Sequence, residues 1–536
     1  MRRLICLLLP LGTCLVTPAC ADAADRVYWG TDSNNKISFA NLDGSGGHDL
    51  NTTGATVNEA YGTAIDAAGG KIYWASDAGN KISFANLDGS GGAHDLNTGA
   101  ANVNNPEGVA VDPLGGKVYW ANNGGIPISF ANLDGSGGDN LNTSGATTSS
   151  PSGIAVDPAA NKVYWSDNGI PDKISFANLD GSGGGGALNL GAATIVNPYG
   201  VALDPSSGRI FWANYMGGGG GISFARADNS GVGGDLDTSG AVVNQPQGVA
   251  VDPLAGRIYW GNQEPGPGGI YFARLDGSGG GGQVNLTGAD FDEPAYPSLL
   301  ERPSGVGAPT VTGGSTPGST LSCTRGSWAS DHLGAFFYRV PQSFAFQWSL
   351  DGKNVAGANG ATHTATSPGE YRCAVTATNA AGSSSQTSAP SSVRVTDIKE
   401  YRITPNAFVA AASGPSVVAG KRKRVKTGSK VRFVLDSAAT VDFKVQQRLT
   451  GRRSKRGRCV KRTKANRQKR KCTRLVTLKG GFTRAGSQGK NGFRFTGRLK
   501  GRKLRPGRYL LVATPKAGGK SGQSRNAAFR IKRARR

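Results

Sequence analysis

Beyond its first twenty-odd residues the chain has no apolar run long enough to span a bilayer. Its last residues, Lys532-Arg533-Ala534-Arg535-Arg536, form no LPxTG-like sorting motif. Histidine is scarce, with four in 536 residues, which leaves little material for a histidine-built metal centre. Acidic side chains all but vanish from 396–536, where 4 Asp and Glu face 42 Lys and Arg. Residues 451–475 lack any aromatic side chain, so a nucleic-acid base finds nothing there to stack on and no sequence-specific nucleic-acid binding is expected. Release from the cell, or non-covalent retention at its surface, is what these absences leave.

What is present is divided by charge. The net +25 of the chain combines 29 Asp and Glu against 12 Lys and Arg in 22–304, 3 against 5 in 305–395, and the strongly basic 396–536. Arg2-Arg3, an apolar stretch from Leu4 to Val16 and the small residues around Ala19-Cys20-Ala21 have the architecture of a secretory signal peptide. Residues 1–21 are assigned to it, with cleavage expected after Ala21 or Ala23; Pro18 argues against a lipoprotein box at Cys20. Cys6, Cys14 and Cys20 belong to this leader. The other four cysteines suit an oxidising compartment as two pairs, Cys323 with Cys373 and Cys459 with Cys472. A secreted, extracellular protein follows.

The string Ile-Ser-Phe-Ala-Asn-Leu-Asp-Gly-Ser-Gly begins at Ile37 and returns unchanged from Ile82, Ile128 and Ile174, with relaxed copies from Ile222 and Ile270. Each copy follows an aromatic pair ending in Trp29, Trp74, Trp120, Trp165, Trp212 or Trp260, at steps of 45, 46, 45, 47 and 48 residues. A period near 45 with strand-like content predicts one propeller blade per repeat, hence a six-bladed β-propeller over 25–304. In the third repeat the strands are expected at Gly108 to Asp112, Lys117 to Trp120, Ile128 to Leu133 and around Leu141, with Asp134-Gly135 as a hairpin turn. Each Asp-Gly-Ser-Gly-Gly string supplies one carboxylate followed by glycines, too few oxygen donors for a calcium loop; no metal or cofactor is expected. Because the mature chain starts directly at Arg26-Val27-Tyr28-Trp29, blade one lacks an inner strand. Residues 294–303 stand where that strand should be and are expected to supply it from the far end of the domain, closing the ring.

The combination of Tyr-Trp, I-x-x-A-N-L-D-G-S and P-x-G-V-A-V-D-P resembles the YWTD repeats of low-density lipoprotein receptor class B domains over 26 to about 303, with Tyr164-Trp165-Ser166-Asp167 nearest the full tetrad. The resemblance implies a six-bladed binding scaffold and names no ligand. In a propeller the loops between strands two and three share a face with those leading into each inner strand, and binding concentrates on such scaffolded loops. That face is expected to gather Asp32, Asp77, Asn122, Asp167, Asn214 and Asn262 with Glu59, Tyr61, Glu107, Tyr199, Gln247 and Tyr296. Such an acidic surface with tyrosines suits a protein or carbohydrate ligand, although Asp and Asn also cap turns. The alternative is a propeller enzyme, a lactonase or lyase, for which Glu59, Glu107 and Gln247 are the channel candidates; His48 and His94 fall on fourth strands. No catalytic residue is assigned.

In 305–395, Cys323, Trp348, Tyr371 and Cys373 follow the order of an immunoglobulin-like domain, with Trp348 packed on the disulfide and Tyr371 closing a corner. This part resembles the immunoglobulin-like modules of bacterial surface proteins and reads as a spacer. Alternating runs around Val431, Val441, Phe493, Tyr509 and Ala528 predict another small β-sandwich over 396–536. The whole chain is thus expected to be all-β. Within the last domain Arg452, Arg453, Lys455, Arg456, Arg458, Lys461, Arg462, Lys464, Arg467, Lys469, Arg470 and Lys471 crowd a hairpin stapled by Cys459 and Cys472. They suit an anionic partner such as a cell-wall polymer or a membrane surface.

Overall fold

The structure, a computed structural model, describes residues 24–215, 220–263, 268–418, 427–454 and 457–534. The expected leader, 1–21, lies outside the described residues. The chain forms two compact units. One runs to Gly307 and takes in Gly326–Ala345 and Thr376–Gln386; the other comprises Ala308–Arg325, Phe346–Val375 and the chain from Thr387 onward. The propeller unit therefore includes two segments from beyond residue 304.

The first unit is a β-propeller. Each repeat becomes a four-stranded antiparallel sheet, as in Pro106–Asp112, Lys117–Asn122, Ile128–Asn132 and Gly138–Asn140. The inner strands Ala60–Asp66, Pro106–Asp112, Pro151–Asp157, Pro198–Asp204, Pro246–Asp252 and Pro294–Leu300 pack each on the next, and the last returns to the first. Closure is as the strand count requires: Pro294–Leu300 pairs antiparallel with Arg26–Thr31, matching Arg26 to Leu300 and Val27 to Leu299. Two chain segments about 270 positions apart share one sheet, so the inner edge of Arg26–Thr31 is paired and Gly47–Asp49 remains the outer edge of blade one.

Each repeated string does the same work in every blade. Its Ile and Ala are buried in the third strand, and its Asp-Gly, or Asp228-Asn229 in blade five, makes the turn, with the Asp carboxylate accepting from the backbone N–H two residues on, as Asp134 does from Ser136 at 2.9 Å. The six tryptophans are fully buried. Five of them donate Nε1–H to a carbonyl of the loop leading into the blade, among them Trp120 to Asn102 at 2.8 Å; Trp165 has no acceptor. The first residue of each second strand adds a second repeated contact. Arg26, Lys71, Lys117, Lys162, Arg209 and Arg257 place their cations 4.1 to 4.9 Å from the ring centroids of Phe39, Phe84, Phe130, Phe176, Phe224 and Phe272. Each such cation–π pair contributes about 0.5–1 kcal/mol at a half-open site.

The far end of the channel is stopped from below. A 3-10 turn, Leu333–Ala335, packs against four of the inner strands, and Phe337–Tyr338 pairs parallel with Leu299 and Leu300. Phe336, Phe337 and Tyr338 are buried in the same core as the blade tryptophans. Arg339, also buried, donates Nε–H to the Ser330 carbonyl at 2.9 Å and tethers the segment.

The second unit carries both disulfides the sequence pairs, Cys323–Cys373 and Cys459–Cys472. Trp348 is buried, and its ring, His363 and Tyr371 form a row of tilted ring contacts with centroids 5.7 and 5.6 Å apart. Tyr371 donates to the Ser367 carbonyl at 3.0 Å, closing the expected corner. In the basic part, a four-stranded sheet (Ile398–Thr404, Ser429–Leu435, Gly489–Phe495, Val417–Val418) and a larger sheet built on Ala439–Arg453, Gly507–Ala517 and Arg525–Ile531 enclose a phenylalanine-rich core around Phe433, Phe443, Phe493 and Phe495. Ala439–Arg453 and Lys471–Gly486 pair along nearly their whole length, and beyond Gln447, where Gly507–Ala517 no longer pairs, they continue as a two-stranded arm.

Trp120→Phe and Trp165→Phe test the buried indoles. Both lose volume, but only Trp120→Phe leaves a carbonyl without its donor, so it should cost about 1 kcal/mol more in urea unfolding. Equal losses would mean that the indole hydrogen bonds contribute nothing.

Candidate functional site

The inner strands approach so closely at one level that only glycine fits. A Cβ on Gly153 would lie 2.2 Å from Gly200 Cα, and one on Gly248 would lie 2.3 Å from Tyr296 Cα. The sixth place in this ring is Tyr296 itself, held at φ +37°, a left-handed conformation that disfavours a bulky residue. Its ring is buried in the channel, edge-on to Tyr61 with centroids 6.5 Å apart. Its hydroxyl reaches across to Ser152 Oγ at 2.5 Å, and Ser152 in turn donates to the Glu107 carboxylate. Tyr296 from above and the 333–338 segment from below thus fill the axis and leave a mouth on one face.

Around the mouth stands the residue just before each ring glycine, Tyr61, Glu107, Ser152, Tyr199, Gln247 and, before Tyr296, Ala295; Tyr61 and Tyr199 are partly exposed and the other four are buried. Glu107 is buried and accepts from Asn123 Nδ2 at 2.6 Å; burial pushes its pKa up to about 7 against the pull of its hydrogen bonds. Tyr61 donates to Asp32 at 2.9 Å. Burial raises the Asp32 and Asp77 carboxyls, and the negative charges of Glu59 and Asp32 push Asp77 further up. Tyr199 packs on Tyr215 with centroids 4.8 Å apart, and Tyr215 donates to Gln263. Gln247 is buried with its Oε1 unpaired. The mouth therefore has an acidic half from blades one to three and a phenol and amide half from blades five and six.

The structure separates the twelve residues expected on this face. Asp32, Tyr61, Asp77, Glu107, Tyr199, Gln247 and Tyr296 come together at the mouth. Asn122, Asp167, Asn214 and Asn262 do not: all four are buried inside their blades. Asn122 accepts from the Asn104 N–H and donates to Ser129; Asp167 accepts from the N–H groups of Ser149 and Ser150; Asn214 and Asn262 hold the equivalent loops. The physical reason is strand alternation, since they occupy the register of Thr31 and Ser76, one residue before Asp32 and Asp77, and so face the opposite way. The true counterparts of Asp32 and Asp77 are Asn123, Asn168, Tyr215 and Gln263, which sequence reasoning passed over; counting from tryptophan finds them. Ser152 was also missed, although its place after the proline of Pro-x-Gly was visible. Glu59 sits two residues before Tyr61, at φ +51°, with its N–H donated to Asn35 Oδ1 at 2.7 Å, a turn-forming role. His48 and His94 are exposed on fourth strands. Among the described residues no three His, Cys, Asp or Glu side chains meet in a metal-binding arrangement.

On the basic arm, Arg453, Arg458, Lys461, Arg462, Lys464, Arg467, Lys469, Arg470 and Lys471 are exposed and Arg452 is half-buried; Lys455 and Arg456 lie outside the described residues. None of the described ion pairs includes any of these cations. No helix among the described residues is long and apolar enough to cross a membrane.

No family model matches the chain, and no curated protein matches it significantly. Solved structures do match the propeller half. A chain of a nidogen–laminin complex is 19% identical, covers 51% of this chain and 97% of its own, and aligns with a TM-score of 0.41. A gluconolactonase from Xanthomonas campestris is 16% identical over 47% of this chain and 86% of its own, at 0.33. A luciferin-regenerating enzyme is 14% identical over 51% and 95%, at 0.31. Likenesses of this size leave function to the chain's own residues.

The raised carboxyls make stability depend on pH. Glu107 and Glu301, both pushed up to about 7 mainly by burial, bind protons in the folded state that the unfolded chain has already lost above about pH 4.5. Stability should therefore fall as pH rises from 5 to 8, and Glu107→Gln should flatten the fall. Urea midpoints measured across that range check it; a midpoint that climbs with pH would refute the assignment.

Proposed function

We propose that this is an extracellular, non-enzymatic recognition protein. Its propeller, of the YWTD type by its repeat pattern, binds a protein or carbohydrate ligand at the channel mouth. An immunoglobulin-like spacer follows, and the basic C-terminal domain holds the protein at an anionic cell-wall polymer or membrane surface. The observation that carries the reading is where the repeat breaks. Six equivalent positions in otherwise repetitive blades hold Ala295, Tyr61, Glu107, Ser152, Tyr199 and Gln247, all around one mouth. A packing role would have kept them alike. Carboxylates from Asp32, Asp77 and Glu107 favour a ligand that brings hydrogen-bond donors or positive charge, while Tyr199 and Tyr215 offer it flat apolar faces.

A lactonase or lyase remains the second reading, supported by the raised pKa of Glu107, which would suit a general base. One set of variants separates the two. Binding of the full chain to arrays of glycans and basic peptides should weaken at least tenfold in Tyr61→Ala and Tyr199→Ala, and no lactone should turn over. Binding indifferent to both substitutions counts against the mouth, and lactone turnover abolished by Glu107→Gln would favour the enzyme.

The surface-retention role is supported by the uncompensated cations of the arm. Retention on anionic phosphatidylglycerol vesicles or on a teichoic acid column should drop at least tenfold between 50 and 200 mM salt, because neutralising several charges releases counterions. Reversing Arg467, Lys469 and Arg470 to Glu should weaken it at low salt; retention unchanged by both would remove the arm from the role.

A further inference from the structure

We propose that a second binding site, for a neutral oligosaccharide, lies on the propeller's other face at the junction of blades one and two. A cleft of about 1110 Å3 opens there, with walls from blade one, the turn 86–90 of blade two, and a roof formed by Gln342 and the turn 378–383. Its size is somewhat above the roughly 300–1,000 Å3 usual for small-ligand sites, so it has room for more than one sugar ring.

Three features together mark this junction. First, a clasp made at three of the six blade junctions is not made here, nor at the junctions that follow Asn189 and Asp237. Asn97, Asn142 and Asn285 each donate Nδ2–H to the carbonyl of the next blade's Asp-Gly turn, at 3.0, 3.2 and 2.8 Å. Asn51, in the same position, makes no such bond to Gly89, and both residues line the cleft. Second, two residues of the wall are more than nine-tenths buried and keep polar atoms without partners, Oδ1 of Asn41 and Nε–H of Arg26. One is an acceptor and the other a donor, and leaving such groups unpaired costs about 1–3 kcal/mol each unless a ligand or solvent completes them. Third, the lining is amide and hydroxyl rather than charged in one sense. Asn86, Ser90, Gln342 and Ser383 stand around it, while Arg26 and His48 balance Asp49 and Asp88, and Asp49 is already paired with Lys36 at 2.8 Å. Groups that both donate and accept match sugar hydroxyls, which do the same. Phe39 and Leu87 supply an apolar patch for the C–H face of a ring.

The site is independent of the channel mouth, and the experiment keeps the two apart. The full mature chain is applied to an array of cello-, malto-, chito- and galacto-oligosaccharides, and the strongest binder is titrated by calorimetry. Ser383→Trp and Ser90→Trp, on exposed positions of opposite walls, fill the cleft; Asn51→Ala removes an exposed donor without adding bulk. Expected are at least a tenfold loss of affinity in both tryptophan variants, a smaller loss in Asn51→Ala with a melting curve lowered only slightly by loss of the Thr53 N–H bond to Asn51 Oδ1, and no effect of Tyr199→Ala. The proposal is overturned if no oligosaccharide binds, if binding survives both tryptophan variants and Asn51→Ala, or if it is lost in Tyr199→Ala instead.

Discussion

Six strands converging on one axis leave almost no volume at the centre, and the rest of the propeller is arranged around that crowding. Five of the strands meet it with glycine, and the sixth, Pro294–Leu300, brings Tyr296. That strand is also the one delivered from the far end of the domain to pair with Arg26–Thr31. The residue that fills the channel and the strand that closes the ring are therefore one device. Forcing Tyr296 to φ +37° costs energy of order 1 kcal/mol or more, and the hydroxyl bridge to Ser152 and Glu107 offsets part of it on the opposite side of the ring. A closed ring is thus also a filled one.

The same crowding orders the layers outward. Close inner strands put the second strand of each blade against its neighbours, so its tryptophan has no route to water and needs an internal acceptor, found in five blades out of six. One strand further out, space opens and the Phe of the repeated string stays half-buried, which is where Lys or Arg can cover it without losing solvation at its charged end. The fourth strands carry the exposed histidines. Burial, and with it chemical variety, is set by distance from the axis.

This geometry explains what could be read from the residues alone. The tryptophan spacing announced the blades, the missing first strand announced the splice, and the order of cysteine, tryptophan, tyrosine and cysteine announced Cys323–Cys373 and the Tyr371 bond. Asn122 and Asn123 show where such reading stops. Adjacent polar residues at a strand end look equivalent in a string of letters, yet one turns into the blade and the other toward Glu107. The 333–338 stopper was hidden for a different cause: its partners Leu299 and Leu300 are more than thirty residues away and belong to a strand whose identity was itself an inference.

Repetition and function pull in opposite directions in such a ring. A packing solution, once found, can be copied, and Ile, Ala, Trp and Asp-Gly are copied in nearly every blade. A ligand has no six-fold symmetry, so a site for it must be built where copies differ. The structure has two such places. At the mouth, the residue before each ring glycine differs in all but its two tyrosines. Under blades one and two, a clasp that three other junctions make is left open beside two buried groups without partners. Another departure is of a different kind: blade four, with Asp167 and an unpaired Trp165 Nε1, alters how a loop is held. Broken symmetry marks a candidate site only where it coincides with open volume or with polar groups facing it, and that pairing singles out the mouth and the cleft.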